Sequence, residues 1–307
     1  MILNYIKLTR PINLLIIVLV QCIIKYGLLL PLGVKVALDN FEFFLLVFAS
    51  LCIAAAGNVV NDIFDLTVDS INKPDKMLVW RIIPEKSAYN YYIVLNVLGV
   101  AAGFYLSNLL DKPALTAIFI VISALLYIYA THIKAMLVVG NLLVSVVVAM
   151  SLMVIVLFDI FPALDTNEMD LQVVSSKIIL LYAGFAFYIN FIREIVKDLQ
   201  DIDGDKNGGR NSLPIALGRQ RTIHVVFVLG VMGLIGILLY SYYRLYYFST
   251  LLFYFVFLIA GPMLFFCIKA WSAETKKDYA FLSLLLKLIM LSGIISIVFY
   301  AKIATQL

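Results

Sequence analysis

Nine long apolar runs constrain this chain more than any other feature. They cover residues 11–33, 43–60, 89–109, 113–131, 136–158, 176–196, 222–240, 248–268 and 280–301. Each is close to the ~20 residues with which a helix crosses the hydrocarbon of a bilayer. Hydrophobic residues make up 64% of the 307, charged residues only 14%, and the mean hydropathy is +1.03, so there is too little polar surface to cover a water-soluble core. Porin-like alternation is absent, and only helices or closed barrels satisfy their backbone in lipid. The expected fold is therefore all-α: a polytopic membrane protein with nine transmembrane helices, forming a single domain over 1–307. The narrowest division is between the third and fourth runs, where Asp111, Lys112 and Pro113 alone intervene.

The basic residues orient these spans. Lys7, Arg10, Lys73, Lys76, Arg81, Lys86, Lys134, Arg193, Lys197, Lys206, Arg210, Arg219, Arg221, Lys269, Lys276 and Lys277 fall on one side of the membrane. Lys35, Lys112, Lys177, Arg244 and Lys302 fall on the other. The positive-inside rule puts the larger set in the cytoplasm, with the N-terminus inside and the C-terminus outside. The net charge of +4 then reflects topology and contact with anionic lipid, not nucleic acid, and no obligate protein partner is implied. The first run is too long for a signal-peptide core and no small-residue cleavage site follows it, so no cleavable signal is expected. Cys22, Cys52 and Cys267 are unclustered within spans and read as apolar packing.

Against this apolar background, NDIFDLTVD at residues 61–69 and KDLQDIDGD at 197–205 stand out. Asp62, Asp65 and Asp69 are spaced i, i+3, i+7, and so are Asp198, Asp201 and Asp205. On a helix that spacing gathers three carboxylates into an arc of about 60°, spread along about 10 Å. The repeat falls each time at the cytoplasmic end of an even-numbered span and divides the chain into pseudo-repeated halves, approximately 1–135 and 136–307. Like charges on one face repel, and at a membrane margin they need a compensating cation. Mg²⁺ suits such hard oxygen ligands and is commonly held by carboxylates together with substrate phosphates.

Lys73, Lys76, Lys134, Lys197 and Arg210 reach the same cytoplasmic face, where they would neutralise phosphate oxygens. Two metal-bearing helix ends with basic residues around them describe a diphosphate site, and the bundle below would take a hydrocarbon tail. Metal ions and cations stabilise the charge developing on a leaving diphosphate. An allylic remainder would be an electrophile that the bundle shields from water.

These motifs resemble the two aspartate-rich signatures of the UbiA-type intramembrane prenyltransferases. TRPIN at 9–13, INKPDK at 71–76, GN at 140–141 and SLPIALG at 212–218 are similar to further family positions. The resemblance implies nine helices around a central cavity, with Mg²⁺ bridging an isoprenyl diphosphate to the two motifs. It implies a first wall of Asn61 or Asn58 with Asp62, Asp65 and Asp69, and a second of Asp198, Asp201 and Asp205. Arg193 and Lys197 resemble the basic pair before the second motif, Lys134 the basic residue between the fourth and fifth spans, and Asn13 and Asn141 polar residues of the cavity wall. The sequence departs from the family after the first motif, where KPDKMLVWRIIP lacks the proline and glycine of the usual lid turn.

The expected activity is Mg²⁺-dependent transfer of a polyisoprenyl group, with geranylgeranyl diphosphate as donor. The INKPDK flank is nearer to members that prenylate glycerol phosphate lipids or chlorophyll precursors, so a glycerol phosphate lipid is the expected acceptor. The same basic residues would also serve an aromatic quinone precursor, which stays as the alternative. A secondary transporter is the alternative of a different class, but its polar residues belong near the midplane. The expected location is the cytoplasmic membrane of a prokaryote, with the site facing the cytoplasm. His132 and His224 offer no general base, Lys25 and Lys287 are expected to snorkel to an interface, and most tyrosines near span ends read as interfacial belt.

Overall fold

The computed structural model describes residues 2–304, apart from the side chains of Lys76 and residues 300–304. The expectations for the Lys76 and Lys302 side chains thus lie outside the described residues. Among the described residues there is no strand, only an isolated bridge between Val79 and Ile83. Nine helices there are long and apolar enough to cross a membrane. A short α1 (Ile2–Leu8) precedes the spans α2 (Pro11–Leu29) and α3 (Asn40–Phe64). After α4 (Leu66–Asn72) come α5 (Glu85–Leu109), α6 (Pro113–Thr131), α7 (Val139–Ala163) and α8 (Met169–Asn207). The short α9 (Leu213–Leu217) leads into α10 (Arg219–Leu245), α11 (Ser249–Trp271) and α12 (Lys276–Ala304). The chain is an integral membrane protein.

Each expected span has its helix, and the main difference is length. The run at 176–196 lies within α8, a 39-residue helix that continues past it through the whole second carboxylate motif. Hydropathy marks where lipid ends, whereas a helix stops only where its backbone bonds do. Local chemistry sets several starts. Asp39 accepts from the Glu42 amide and the Glu42 side chain accepts from the Asp39 amide, both at 2.8 Å, a reciprocal cap on α3. Pro11 opens α2, where its missing N–H costs nothing.

The two motif-bearing helices are the hubs of the bundle. α3 packs on α2, α5 and α6, while α8 packs on α7, α10 and α12. α2 touches both groups through α3, α7 and α12. About half of the membrane window is buried in α3 and α8 but only 22% in α5 and 17% in α6, so the outermost helices belong to the first group. α5 can lie close on α6 because residue 103 is glycine: a Cβ there would fall 2.2 Å from the Phe119 ring.

Lys25 does not snorkel. It is 1% exposed, and its ammonium donates to the Leu38 carbonyl at 2.6 Å and to Asp159 Oδ2 at 3.0 Å. Asp159 Oδ1 accepts from the Leu38 amide at 2.8 Å, and the Asp159 carbonyl accepts from Ala37 at 2.7 Å. Lys25 and Asp159 both stand in π-helical turns, Lys25–Leu29 and Val156–Ile160, whose i→i+5 bonding departs from the flanking α-helix. The partner inside the protein makes escape to the interface unnecessary. The pair clips α2, α7 and the 30–39 loop together at the end of the bundle away from the aspartate motifs. Removing one partner strands the other charge in a dry site, so Lys25→Met should destabilise the protein by about 3–5 kcal/mol. The Lys25→Met/Asp159→Asn double variant should recover part of this loss, as read by thermal unfolding in detergent followed by circular dichroism.

Candidate active site

The first wall is built where α3 leaves the apolar layer. Asn58, Asn61 and Asp62 occupy its last two turns, and the chain bends at Asp65 (φ −93°, ψ 4°) before resuming as α4 with Asp69. A single straight helix through all three carboxylates was expected; the structure corrects this to a helix, a joint and a second short helix. The register nevertheless carries across the joint, since the Asp65 amide donates to the Asn61 carbonyl at 3.0 Å and the Asp69 amide to the Asp65 carbonyl at 2.8 Å. The second wall is unbroken α8, with Asp198, Asp201 and Asp205 on one face.

Basic and amide side chains from four other segments converge on these carboxylates. Arg10, held at a left-handed φ of 56° at the start of α2, donates to Asp62 Oδ1 at 2.5 Å. Such a conformation costs a non-glycine residue roughly 1–3 kcal/mol, and here it turns the guanidinium toward the wall. Lys134 pairs with Asp65 and donates to Asn61 Oδ1 at 2.7 Å, while Asn61 donates to Asp65 Oδ2 at 2.9 Å. Lys73 reaches across to Asp201 Oδ2 at 2.8 Å. Asn141 donates to Asp198 Oδ2 at 2.8 Å from the first turn of α7. That turn follows Val138, a β-branched residue at φ 63°. Arg210 joins the two motifs: one guanidinium nitrogen holds Asp65, the other holds Asp205 Oδ1 at 2.8 Å.

These charges set the local acidity. Burial would raise the Asp65 carboxyl, but Lys134 and Arg210 hold it below its ordinary value. Asp69 goes the other way, lifted by burial and by the neighbouring Asp65 and Asp62. Burial opposes the charge on Lys73, but Asp201 and Asp69 more than restore it, so its ammonium is held above the ordinary value.

Not every expected residue points at the carboxylates. Asn58 donates to the Thr9 carbonyl at 2.9 Å and braces the turn before α2, so Asn61 is the asparagine of the wall. Asn13 is exposed and accepts from Lys287 at 2.9 Å. Arg193 and Lys197 both turn to Glu194, at 3.3 Å and 2.7 Å. His132 is exposed and hydrogen-bonds Thr131, and His224 lies against Trp271.

Sequence reasoning missed Arg10, Glu194 and Asn72 as parts of this region. Arg10 was legible in TRPIN as a cation beside a span, but its partner was not. Asn72 docks α4 on α8 by donating to the Asp201 carbonyl at 2.8 Å and accepting from the Gly204 amide at 3.0 Å. The lost lid turn is replaced by an apolar anchor. Val79 and Ile83 are buried with Leu8, Val59, Ile63 and Ala88, and the Trp80 amide donates to the Ile83 carbonyl at 2.8 Å to close the loop.

The sequence profile of the UbiA prenyltransferase family matches residues 16–293. The chain belongs to that family. It is a prenyltransferase, moving alkyl groups larger than methyl. This UbiA family member is 29% identical over 248 residues to digeranylgeranylglyceryl phosphate synthase from Methanosphaera stadtmanae, an alignment covering 79% of each protein. A solved structure from work on digeranylgeranylglyceryl phosphate synthase in membranes is 24% identical, with a TM-score of 0.61 over 98% of both chains. A UbiA homologue from Archaeoglobus fulgidus, bound to GPP and Mg²⁺, is 15% identical, with a TM-score of 0.55 over 96% of this chain and 99% of that one. These two likenesses establish the shared fold.

The close approach of α4 to α8 generates a test. A Cβ at Gly204 would fall 2.3 Å from Asn72 Nδ2, inside the contact that docks the first wall on the second. Gly204→Ala should cost about 1–3 kcal/mol by overpacking and should quicken protease cleavage within residues 73–84. Unchanged cleavage would argue against docking through Asn72.

Proposed function

We propose that this protein transfers a geranylgeranyl group from geranylgeranyl diphosphate to a glycerol phosphate lipid, geranylgeranylglyceryl phosphate. The observation that carries the reading is the pair of aspartate walls joined by Arg210, in a chain whose relatives include named digeranylgeranylglyceryl phosphate synthases. Those names favour a glycerol phosphate acceptor over an aromatic quinone precursor. Asp62, Asp65 and Asp69 form one wall of the donor site and Asp198, Asp201 and Asp205 the other. Asn61, Lys73, Lys76, Lys134, Asn141 and Arg210 border the diphosphate. Residues 1–135 and 136–307 act as facing halves, one wall from each. The distribution of lysine and arginine supports a cytoplasmic site in a prokaryotic cytoplasmic membrane, with the N-terminus on the same side.

The donor set fits Mg²⁺. Six carboxylates face the four cations that touch them, Arg10, Lys73, Lys134 and Arg210, which leaves a formal charge of two negative. Asp201 Oδ1 is buried with no hydrogen-bond partner. Among the described residues no three acidic, histidine or cysteine side chains converge enough to hold an ion alone. Mg²⁺ fits that sparse arrangement, because it takes one or two carboxylates and completes its shell with substrate phosphate and water. When bound, it neutralises charge on the departing diphosphate.

In the reaction, the acceptor hydroxyl oxygen forms a bond to C1 of the allylic chain as the C1–O bond to diphosphate breaks. Diphosphate leaves with the bonding pair, and the hydroxyl proton passes to diphosphate or water. Lys134 and Arg210 are placed to take up the phosphate charge, and the bundle excludes bulk water from the electrophile.

Purified protein in detergent, given radiolabelled geranylgeranyl diphosphate and geranylgeranylglyceryl phosphate, should form the diether with Mg²⁺ and none with EDTA. Asp62→Ala and Asp198→Ala should each lower the rate by at least about 10²–10³-fold while thermal unfolding shows the fold retained. Prenylation of a benzoate or naphthoate, with no diether, would overturn the acceptor assignment.

A further inference from the structure

A second charged cluster lies deeper in the bundle than the aspartate walls, and its sign is opposite. Arg193 and Lys197 are one helical turn apart on α8, flanking the acidic face and about 8 Å further along the helix axis than Asp198 in the case of Arg193. Both cations share one carboxylate, Glu194, which is itself buried. From α12, which packs on α8 with Ser296 at Tyr182 and Gly293 at Phe185, comes Lys287, half-buried inside a membrane span and, by that antiparallel register, level with the Arg193 turn of α8. Its ammonium donates to Asn13 Oδ1 in the first turn of α2 at 2.9 Å.

The charges in this cluster do not balance. Arg193 and Lys197 share the one carboxylate and Lys287 is held only by the Asn13 amide oxygen, a formal surplus of two positive charges within spans, where uncompensated charge is expensive. Arg193 Nε is also buried without a hydrogen-bond partner. A purely structural set would carry matching charge and no orphaned donor. The surplus equals the charge of a phosphate monoester dianion, whose oxygens would accept from the guanidinium fork and the two ammonium groups. The aspartate walls have the reverse deficit and take a cation with the donor diphosphate, so the two clusters divide the anions between them.

We propose that Lys287, Arg193 and Lys197, with Asn13 orienting Lys287, form the subsite for the phosphate monoester of the acceptor lipid. This rests on the glycerol phosphate reading above and adds Lys287 as a specificity-determining residue. The subsite selects phosphorylated acceptors from the otherwise equal glycerol ether, and the aspartate walls hold the donor independently of it.

The test uses full-length protein in nanodiscs with Mg²⁺ and geranylgeranyl diphosphate, comparing geranylgeranylglyceryl phosphate with its dephosphorylated glycerol ether. The wild type should strongly prefer the phosphorylated acceptor. Lys287→Met removes a charge from a span without adding bulk, so the fold should survive. It should raise KM for the phosphorylated acceptor about 10–100-fold, leave the donor KM unchanged and erase most of the preference. Lys287→Arg should restore a large part of it. Normal diether synthesis with an unchanged acceptor KM in Lys287→Met would overturn the subsite while the proposed reaction stands. Equal use of both acceptors by the wild type, as a site for free phosphate would give, also overturns it. No diether from the wild type at all removes the acceptor reading and the subsite with it.

Discussion

Carboxylates at the margin of a bilayer must be neutralised, and the architecture follows from how this chain does it. Arg210 is the central example, because its planar fork holds Asp65 of one motif and Asp205 of the other at once. A lysine offers a single point charge and would not fix two carboxylates in one plane. The segment carrying Arg210 is itself fastened at both ends: the Arg210 amide donates to the Asp205 carbonyl and the Asn211 amide to the Ala135 carbonyl, each at 3.0 Å. The second contact brings the loop after α8 onto the loop that carries Lys134. Four segments distant in sequence thereby become one charged surface.

The two ends of the bundle use buried charge differently. Lys25 and Asp159 are sealed, hydrogen-bonded to each other and to the Leu38 backbone, and remote from the carboxylate motifs, which suits a permanent clip. At the motif end the pairs are partly open, with Arg10 and Lys73 retaining about two-fifths exposure, and an oxygen of Asp201 lacks a partner. Partners of that kind can exchange a protein contact for a ligand without stranding a dry charge. The left-handed backbone at Arg10 and Val138 belongs to the same end, beside the contacts that Arg10 and Asn141 make with the walls.

Much of this was legible in the residues. The spans were visible because lipid demands uninterrupted apolar runs, and the carboxylates because i, i+3, i+7 spacing has a fixed geometric meaning on a helix. Less was legible where two residues compete for one role. Asn58 and Asn61 sit three apart on the same helix, and only the position of the Thr9 carbonyl assigns Asn58 to the turn. Lys25 looked like a snorkelling residue because Asp159, 134 residues away, gives no local signal. Lys73 and Arg210 were readable as cations near phosphate, yet the carboxylates they hold in the folded chain lie on the opposite wall or on both.

The sequence by itself determined the membrane class, the helical secondary structure, the number of spans and the two sets of carboxylates. These follow from hydropathy and helical period, which act over one or two turns. Only the tertiary structure decided the pairing of cations with carboxylates, the joint at Asp65, the docking of α4 through Asn72 and the second cluster around Lys287. Each depends on which helices become neighbours, and that is set by close approaches at residues such as Gly103 and Gly204 and by charges that meet across more than a hundred residues of chain.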